Sequence, residues 1–227
     1  MAICVIPARG GSKRIPRKNI KEFHGKPMIQ WSIEAAQASN IFTDIIISTD
    51  DDEIGEIAES LGALVPFKRP LELSDDYTNT TEVIAHASNW SRNQGLDAAV
   101  VCCLYATAPF VSVGAIREAY EQMQHTQSDY CFTATSFAFP IQRAIKVTLE
   151  NRIEMFYPEH LETRSQDLEE SYHDAGQFYW GKPENWVKEK IIFNKNSSII
   201  KIPYLQFIDI NYRDDWDIAK KLYKLKK

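Results

Sequence analysis

Short apolar segments alternate with amphipathic helical segments along the first half of the chain, and this alternation restricts the fold more than any other feature. Four apolar runs rich in branched residues have the length of buried strands: 2–7 (AICVIP), 44–49 (DIIIST), 63–67 (ALVPF) and 98–104 (AAVVCCL). Helical spacing of apolar residues follows each of them, at 26–39, 51–62, 80–95 and 112–124. This order predicts an α/β fold, in which helices cover both faces of a mostly parallel sheet.

The regular alternation ends near residue 136. Residues 137–172 are rich in charged and aromatic residues, and a hairpin is predicted around Glu150–Asn151. We interpret this segment as an excursion from the sheet, after which 176–181 returns as a strand and 214–225 forms a closing helix. Residues 1–227 are therefore expected to form a single domain that contains the excursion.

Composition excludes several classes of protein. The formal net charge of −5 argues against general nucleic-acid binding, so any positively charged site must be local. No apolar stretch approaches the roughly 18 residues of a membrane span, and Met1 leads directly into a strand, which predicts no signal peptide and no membrane partner. The four cysteines lie in apolar runs without a CxxC pair, which indicates buried, reduced thiols in a cytoplasmic protein.

A basic, glycine-containing loop follows the first predicted strand. Ligands of open α/β sheets bind beyond the carboxyl ends of strands, where this loop (8–18, ARGGSKRIPRK) lies. Gly10 and Gly11 would let backbone N–H groups approach an anion, and Arg9, Lys13 and Lys18 would neutralise it. Neither a Walker loop nor a Rossmann fingerprint is present. Phosphate binding is the favoured interpretation, and a solvated turn is the alternative.

The segment IPARGGSKRIPRKNI resembles the first motif of the CMP-sialic acid synthetase family of cytidylyltransferases. The resemblance continues in order through KPMIQWSIEAA, IISTDDDEI, VPFKRPLELSDDYTNT, YATAPF, HDAGQFYWG and IDINYRDDWDIA, over nearly the whole chain. The segments YATAPF, FPIQRAI and EHLETRSQDLEESYHDAGQFYWG are most similar to the branch that acts on pseudaminic acid. The sialic acid branch more often has an Asn-Gly pair where this chain has Asp174-Ala175-Gly176.

The resemblance implies a three-layer α/β/α fold of the nucleotide-diphospho-sugar transferase type. It implies that the anomeric 2-hydroxyl of a nonulosonic acid attacks the α-phosphate of CTP, which yields a CMP-sugar and pyrophosphate. It also implies that Mg²⁺ is the cofactor, and that residues 137–172 form an arm that packs on a second subunit in a homodimer.

The resemblance also implies roles for individual residues. Those expected to bind the nucleotide are Arg9, Gly10, Gly11, Ser12, Lys13, Lys18, Asn19, Arg69 and Thr80. Those expected to bind the sugar are Tyr105, Thr107, Gln142, Arg143, His173, Gln177 and Tyr179. Arg9, Lys18 and Asp209 are the expected catalytic residues. Asp209 matches a metal-binding aspartate at the end of a late strand, and Asn211 stands where the family usually has a second aspartate.

Two acidic runs are assigned to helix ends rather than to metal. The run 50–53 is expected to cap the helix that follows, and Asp214, Asp215 and Asp217 are expected to place charge in the first turn of the last helix. Thr80 or Thr81 is expected to cap the helix at 80–95.

Three rival functions remain open. The same chemistry could act on N-acetylneuraminate, legionaminate or 3-deoxy-octulosonate. A nucleotide-sugar-dependent glycosyltransferase is a remote alternative. A non-catalytic nucleotide-binding regulator is a third, against which the joint presence of Arg9, Lys13, Lys18 and Asp209 argues.

Overall fold

Residues 1–225 are described by the computed structural model, in which a six-stranded mixed sheet forms the centre. The strands are β1 (Ala2–Pro7), β2 (Glu22–Phe23), β3 (Lys26–Pro27), β4 (Asp44–Ser48), β5 (Val100–Leu104), β6 (Tyr130–Ser136), β7 (Ile145–Val147), β8 (Ile153–Met155), β9 (Tyr172–Gly181) and β10 (Ser198–Lys201). The α-helices are α1 (Met28–Ser39), α2 (Asp52–Ser60), α3 (Thr80–Asn93), α4 (Val113–Thr126), α5 (Pro183–Val187) and α6 (Arg213–Leu225). The last two residues of the predicted domain lie outside the described residues.

The central sheet has the strand order β10-β6-β9-β5-β1-β4. Strand β1 pairs in parallel with both β4 and β5, and β10 pairs in parallel with β6. Strand β9 is antiparallel to both of its neighbours, β5 and β6. The predicted α/β class with a mostly parallel sheet is therefore confirmed.

Strand β1 is buried on both faces, as its continuous apolar run predicts. Cys4 and Ile6 pack with α1, α2 and α4, whereas Ile3 and Val5 pack with α3 and α5 on the opposite face. The sheet is thus the middle of three layers. The four cysteines are buried and free, as predicted.

The third predicted strand is wrong. Residues 63–67 contribute one isolated bridge, from Leu64 to Ile46, and a second isolated bridge joins Lys68, just beyond this run, to Thr49. Pro66 lies between these bridges and has no N–H group to donate, so a continuous ladder cannot form.

Two strands of the sheet were not predicted. Strand β6 was missed because its sequence, YCFTATS, ends in small and hydroxylated residues, and β10 was missed because it has only 4 residues. Strand β9 begins at Tyr172, four residues before the predicted start. In contrast, the segment that carries Asp209 is irregular rather than the end of a strand.

The excursion at 137–172 contains the predicted hairpin. Strands β7 and β8 pair antiparallel, and Asn151 adopts a φ of 55° in the turn between them. Short 3₁₀ turns fill much of the remaining segment, at Ile141–Arg143, Pro158–His160 and Ser165–Asp167. Among residues 1–225, no helix combines the length and apolar character needed to cross a bilayer.

Candidate active site

A cavity of about 460 Å³ opens beside the carboxyl ends of β1 and β5. The basic loop forms one wall, and the segment before α3 forms another. Its lining includes ten of the residues predicted to bind nucleotide, sugar or metal: Arg9, Ser12, Lys13, Lys18, Asn19, Arg69, Thr80, Tyr105, Thr107 and Asn211. The topology therefore brings together side chains that are distant in sequence, at the edge where ligands of such sheets bind.

The basic loop is anchored to the start of α2. The Gly10 N–H donates a hydrogen bond of 2.9 Å to Asp50 Oδ1, so this amide already has a partner within the protein. The Arg17 guanidinium forms ion pairs with Asp51 and Glu53. Asp51 also caps α2 by accepting from the Ile54 N–H at 3.0 Å. The predicted capping role of the acidic run is confirmed, and its second role as the anchor of the basic loop was not predicted.

The contact between the basic loop and the start of α2 predicts that substitutions of Gly10 and Gly11 have different effects. A Cβ on Gly10 would lie 2.4 Å from Asp51 Oδ2 and 2.9 Å from Asp51 Cβ, whereas a Cβ on Gly11 meets no atom within 4 Å. We expect Gly10→Ala to lower the free energy of unfolding by about 1–3 kcal/mol and to raise KM for CTP, the nucleotide that the resemblance implies, because Asp51 cannot move without losing Arg17. Thermal unfolding and CTP kinetics measure this. Gly11→Ala is the matched control, and equal behaviour of the two variants would contradict the anchor.

Two cations of the loop are held by the segment before α3. Arg9 Nη1 lies 2.7 Å from Asp76 Oδ1 and donates to the Asp75 carbonyl at 2.7 Å. Lys13 forms an ion pair with the other oxygen of Asp76. These contacts keep both cations at the cavity wall.

Lys18 is directed toward the segment that carries the predicted metal ligands. Its Nζ donates to the Ile210 carbonyl at 2.6 Å. Burial lowers the pKa of Lys18, and Arg14 and Arg9 act in the same direction, while the Asp209 carboxylate opposes them. An anion in the cavity would stabilise the charged form of this amine.

Arg69 is a buried cation in the lining of the cavity, with only 4% of its surface exposed. Its guanidinium donates to the Ser48 hydroxyl at 3.0 Å and to the Ser48 carbonyl. Burial lowers the pKa of Arg69 to about 10, an effect that the Asp50 carboxylate opposes. Asn19 is also buried, and its Nδ2 donates to the Arg9 carbonyl at 2.9 Å.

Two hydroxyl groups also line the cavity. Thr80 Oγ1 and the Tyr105 hydroxyl lie 3.2 Å apart. Burial raises the pKa of Tyr105 to about 12, which keeps the phenol protonated and able to donate. Thr80 is the first residue of α3 and does not cap it. The Asn79 side chain caps the helix instead, by accepting from the Glu82 N–H.

The other residues predicted to bind sugar do not line this cavity: Gln142, Arg143, His173, Gln177 and Tyr179. Gln177 donates to the Gln206 carbonyl at 2.7 Å. Tyr179 is buried and donates to Asp174, and burial raises the pKa of its phenol. Both side chains lie on β9, next to Tyr105 across the sheet.

The remaining three lie in or beside the excursion. The His173 ring lies 4.9 Å from Phe137 and 4.9 Å from Phe207, both in edge contacts. Gln142 donates to the Glu169 carbonyl at 3.0 Å, and Arg143 donates to the Thr163 carbonyl, so both hold the excursion together.

The predicted metal ligands are neighbours beside Lys18. Asn211 lines the cavity and its amide nitrogen donates to Asp209 Oδ2, while Asp209 is exposed and is not itself part of the lining. Within residues 1–225, no group of three or more His, Cys, Asp or Glu side chains could hold a metal by itself. One carboxylate and one amide oxygen still fit Mg²⁺, which takes hard oxygen ligands and completes its shell with water and phosphate oxygens.

Asp215 has the helix role that the sequence predicts. Its Oδ2 accepts from the backbone N–H groups of Asn211 and Tyr212 at 2.9 and 2.7 Å. It therefore stabilises the start of α6 and shapes the turn that presents Asn211.

Sequence reasoning missed several residues of the cavity wall: Arg14, Asp75, Asp76 and Thr78. Arg14 lies in the quoted basic loop, and its guanidinium lies 5.0 Å from the centre of the Tyr212 ring. The aspartates lie in the quoted segment LSDDYTNT, but no local pattern indicates that they contact cations more than sixty residues away.

A sequence model described as cytidylyltransferase matches residues 3–205. The chain therefore belongs to the cytidylyltransferase family, and the predicted enzyme class is confirmed. The relatives also indicate which branch of this family the chain is most similar to. A pseudaminic acid cytidylyltransferase of Campylobacter jejuni is 47% identical over 223 residues, which is 98% of this chain and 96% of the relative.

More distant relatives extend this comparison. The N-acylneuraminate cytidylyltransferase of Escherichia coli is 28% identical over 96% of this chain and 51% of its own length. Among solved structures, a CMP:2-keto-3-deoxy-manno-octonic acid synthetase complexed with CTP has a TM-score of 0.71, with 16% identity over 100% of this chain and 99% of that chain. At this identity the likeness shows the fold alone, and it agrees with the predicted α/β/α fold.

Proposed function

We propose that this enzyme transfers CMP from CTP to the anomeric 2-hydroxyl of pseudaminic acid and releases pyrophosphate. The observation that carries this proposal is the cavity itself, in which Arg9, Lys13, Lys18 and the buried Arg69 surround one volume beside the carboxyl ends of β1 and β5. Four cations fit a triphosphate, which carries nearly as many negative charges. The identity to pseudaminic acid cytidylyltransferases supports the choice of sugar.

In the proposed reaction, the sugar oxygen forms a new bond to the α-phosphorus as the bond between the α- and β-phosphates breaks. The hydroxyl proton and pyrophosphate are the other products. Arg9 and Lys13 would bind the phosphate groups, and Lys18 would neutralise charge that develops on them. Thr80 and Asn19 would orient the nucleoside, since alignment of the reacting atoms supplies much of the rate in such transfers.

Asp209 and Asn211 would hold Mg²⁺. The ion supplies charge neutralisation for the phosphates when it is bound. Lys18 contributes to the same charge balance without the ion, because its amine is fixed on the Ile210 carbonyl between these two residues.

The sugar preference is tested by pyrophosphate release from CTP with a panel of acid sugars. We expect pseudaminic acid to have the highest kcat/KM, by at least about 100-fold over N-acetylneuraminate, because a mismatched analogue leaves buried polar groups unpaired. Legionaminate and 3-deoxy-octulosonate complete the panel. Equal turnover of N-acetylneuraminate would contradict the preference for pseudaminic acid but would leave the proposed cytidylyl transfer intact. Absence of pyrophosphate release with every sugar would contradict the reaction class and favour a glycosyltransferase or a regulator.

We further propose that the excursion at 137–172 mediates a homodimer, as the family resemblance implies. Large apolar side chains are exposed along it: Phe139 (81%), Val147 (66%), Leu149 (104%), Ile153 (69%), Phe156 (58%) and Leu161 (61%). So many exposed apolar groups on one segment indicate a surface that is covered in the assembly. A second copy of the chain is the proposed partner.

The dimer is tested by light scattering at micromolar concentration. We expect a dimer for the native chain and a monomer for Ile153→Glu. Association of the variant would bury the Glu carboxylate in an apolar interface, which costs free energy. Leu71→Glu is the matched control, since Leu71 is also a largely exposed apolar residue, at 82%, and lies outside the excursion. A fully active monomeric native enzyme would refute the proposal.

We also propose a cytoplasmic location. The proposed co-substrate CTP is a nucleotide of that compartment, and the four free thiols suit its reducing conditions.

A further inference from the structure

Asp76 contacts two of the cations that the proposed function assigns to the triphosphate. One carboxylate oxygen lies 2.7 Å from Arg9 Nη1, and the other forms an ion pair with Lys13. The carboxylate lines the cavity, as do both cations. The pKa of Asp76 is lowered by its hydrogen bonds to Lys13 and Arg9, so it is a carboxylate anion at neutral pH. An anion of the protein is therefore paired with the two cations that are expected to bind phosphate.

Its neighbour Asp75 has a different task. Asp75 Oδ1 accepts from the N–H groups of Tyr77 and Thr78 at 2.9 and 2.7 Å, and from the Thr78 hydroxyl at 2.7 Å. These bonds fold the segment before α3. Within residues 1–225, the Asp76 side chain instead contacts the two cations. Asp76 can consequently release them without unfolding the segment that carries it.

Both ion pairs are exposed enough to be broken at low cost. The side chains of Asp76 and Arg9 are each 34% exposed, and that of Lys13 is 80% exposed. Pairs of this kind contribute little to stability and are screened by salt. A triphosphate carries several negative charges and offers Arg9 bidentate contacts, so it competes effectively for the same cations.

We propose that Asp76 is a displaceable counter-ion of the nucleotide site, which binds Arg9 and Lys13 before CTP arrives and again when pyrophosphate leaves. This inference rests on the proposed function, since it takes the cavity to be the triphosphate site. The exchange has two consequences. Asp76 weakens CTP binding because its ion pairs must break, and it accelerates product release because it competes with pyrophosphate for the same two side chains.

The test is Asp76→Asn, which keeps the size of the side chain and removes its charge. In calorimetry without any sugar, we expect CTP to bind the variant about three- to tenfold more tightly than the native enzyme. This factor corresponds to the combined contribution of two exposed ion pairs that no longer need to break. Inorganic pyrophosphate should bind more tightly by a similar factor, and its release should become slower. KM for CTP should therefore fall while kcat does not rise. High salt should reduce the difference between the variant and the native enzyme.

Three further variants complete the experiment. Asp76→Glu keeps the charge and should retain native affinity. Asp217→Asn removes one partner of the exposed Arg213–Asp217 pair, neither residue of which lines the cavity, and it should leave CTP affinity unchanged. Asp76→Ser replaces Asp76→Asn if that variant does not fold.

Unchanged or weaker CTP binding in Asp76→Asn would overturn the inference. Weaker binding only in magnesium buffer would show that Asp76 is a metal ligand and would overturn it as well. A native enzyme that binds neither CTP nor pyrophosphate would refute the proposed function itself. A native enzyme that binds both, with an Asp76→Asn variant that binds no tighter, would refute only the counter-ion.

Discussion

Arg9→Ala is expected to lower kcat/KM for CTP by about 30- to 1,000-fold, which corresponds to roughly 2–4 kcal/mol of transition-state stabilisation. Arg9 lies at the cavity wall, where its guanidinium contacts Asp76 and the Asp75 carbonyl and where phosphate oxygens can replace the Asp76 carboxylate. Steady-state kinetics of pyrophosphate release measure the loss. The thermal midpoint should change little, because the side chain is partly exposed and outside the core.

Two control variants distinguish the specific contacts of Arg9 from a general effect of positive charge. Arg9→Lys keeps the charge and removes the planar fork, so it should recover only part of the activity. Lys21→Met removes a cation that follows the basic loop, does not line the cavity and lies 5.5 Å from the centre of the Trp216 ring, and it should retain activity. Near-native turnover of Arg9→Ala would contradict the assignment of the phosphate site.

Asp209→Asn is expected to abolish most activity, and added magnesium should restore part of it. The substitution keeps the size and one carbonyl oxygen but removes the negative charge that binds a hard cation. A magnesium titration of activity measures the shift. Asp214→Asn is the control, because Asp214 is an exposed acidic residue in the first turn of α6.

The natural asparagine nearby extends this test. Asn211 lines the cavity and contacts Asp209, so Asn211→Asp should lower the magnesium concentration needed for half-maximal activity if position 211 belongs to the metal shell. Unchanged activity and an unchanged titration in Asp209→Asn would remove Asp209 from the site.

The local sequence pattern predicted those helices and strands whose conformation depends mainly on their own residues. The apolar run of β1 and the capped start of α2 were identified because burial on two faces and an N-cap leave direct marks in sequence. The predicted strand at 63–67 failed because an apolar run is necessary but not sufficient. Pro66 removes a donor, and only the position of the neighbouring strand decides whether that donor is needed.

The candidate site shows the same division. The family motifs indicated ten residues that the fold places in one cavity. The structure places Gln142 and Arg143 within the excursion and His173 between two aromatic rings, so their predicted contact with the sugar stays a prediction. A contact of these side chains with a second subunit or a bound sugar depends on groups outside their own segments, so their local sequence does not determine it.

By itself, the sequence determined the α/β class, the location of the basic loop and the enzyme family, because hydrophobic periodicity and motif order are local properties of the chain. Only the tertiary structure decided what each charge contacts. Gly10 and Arg17 are held by the acidic run at 50–53, and Arg9 and Lys13 are held by Asp76. Electrostatic contacts depend on distance in space rather than on separation along the chain, and the parallel pairing of β1 with β4 and β5 creates those distances.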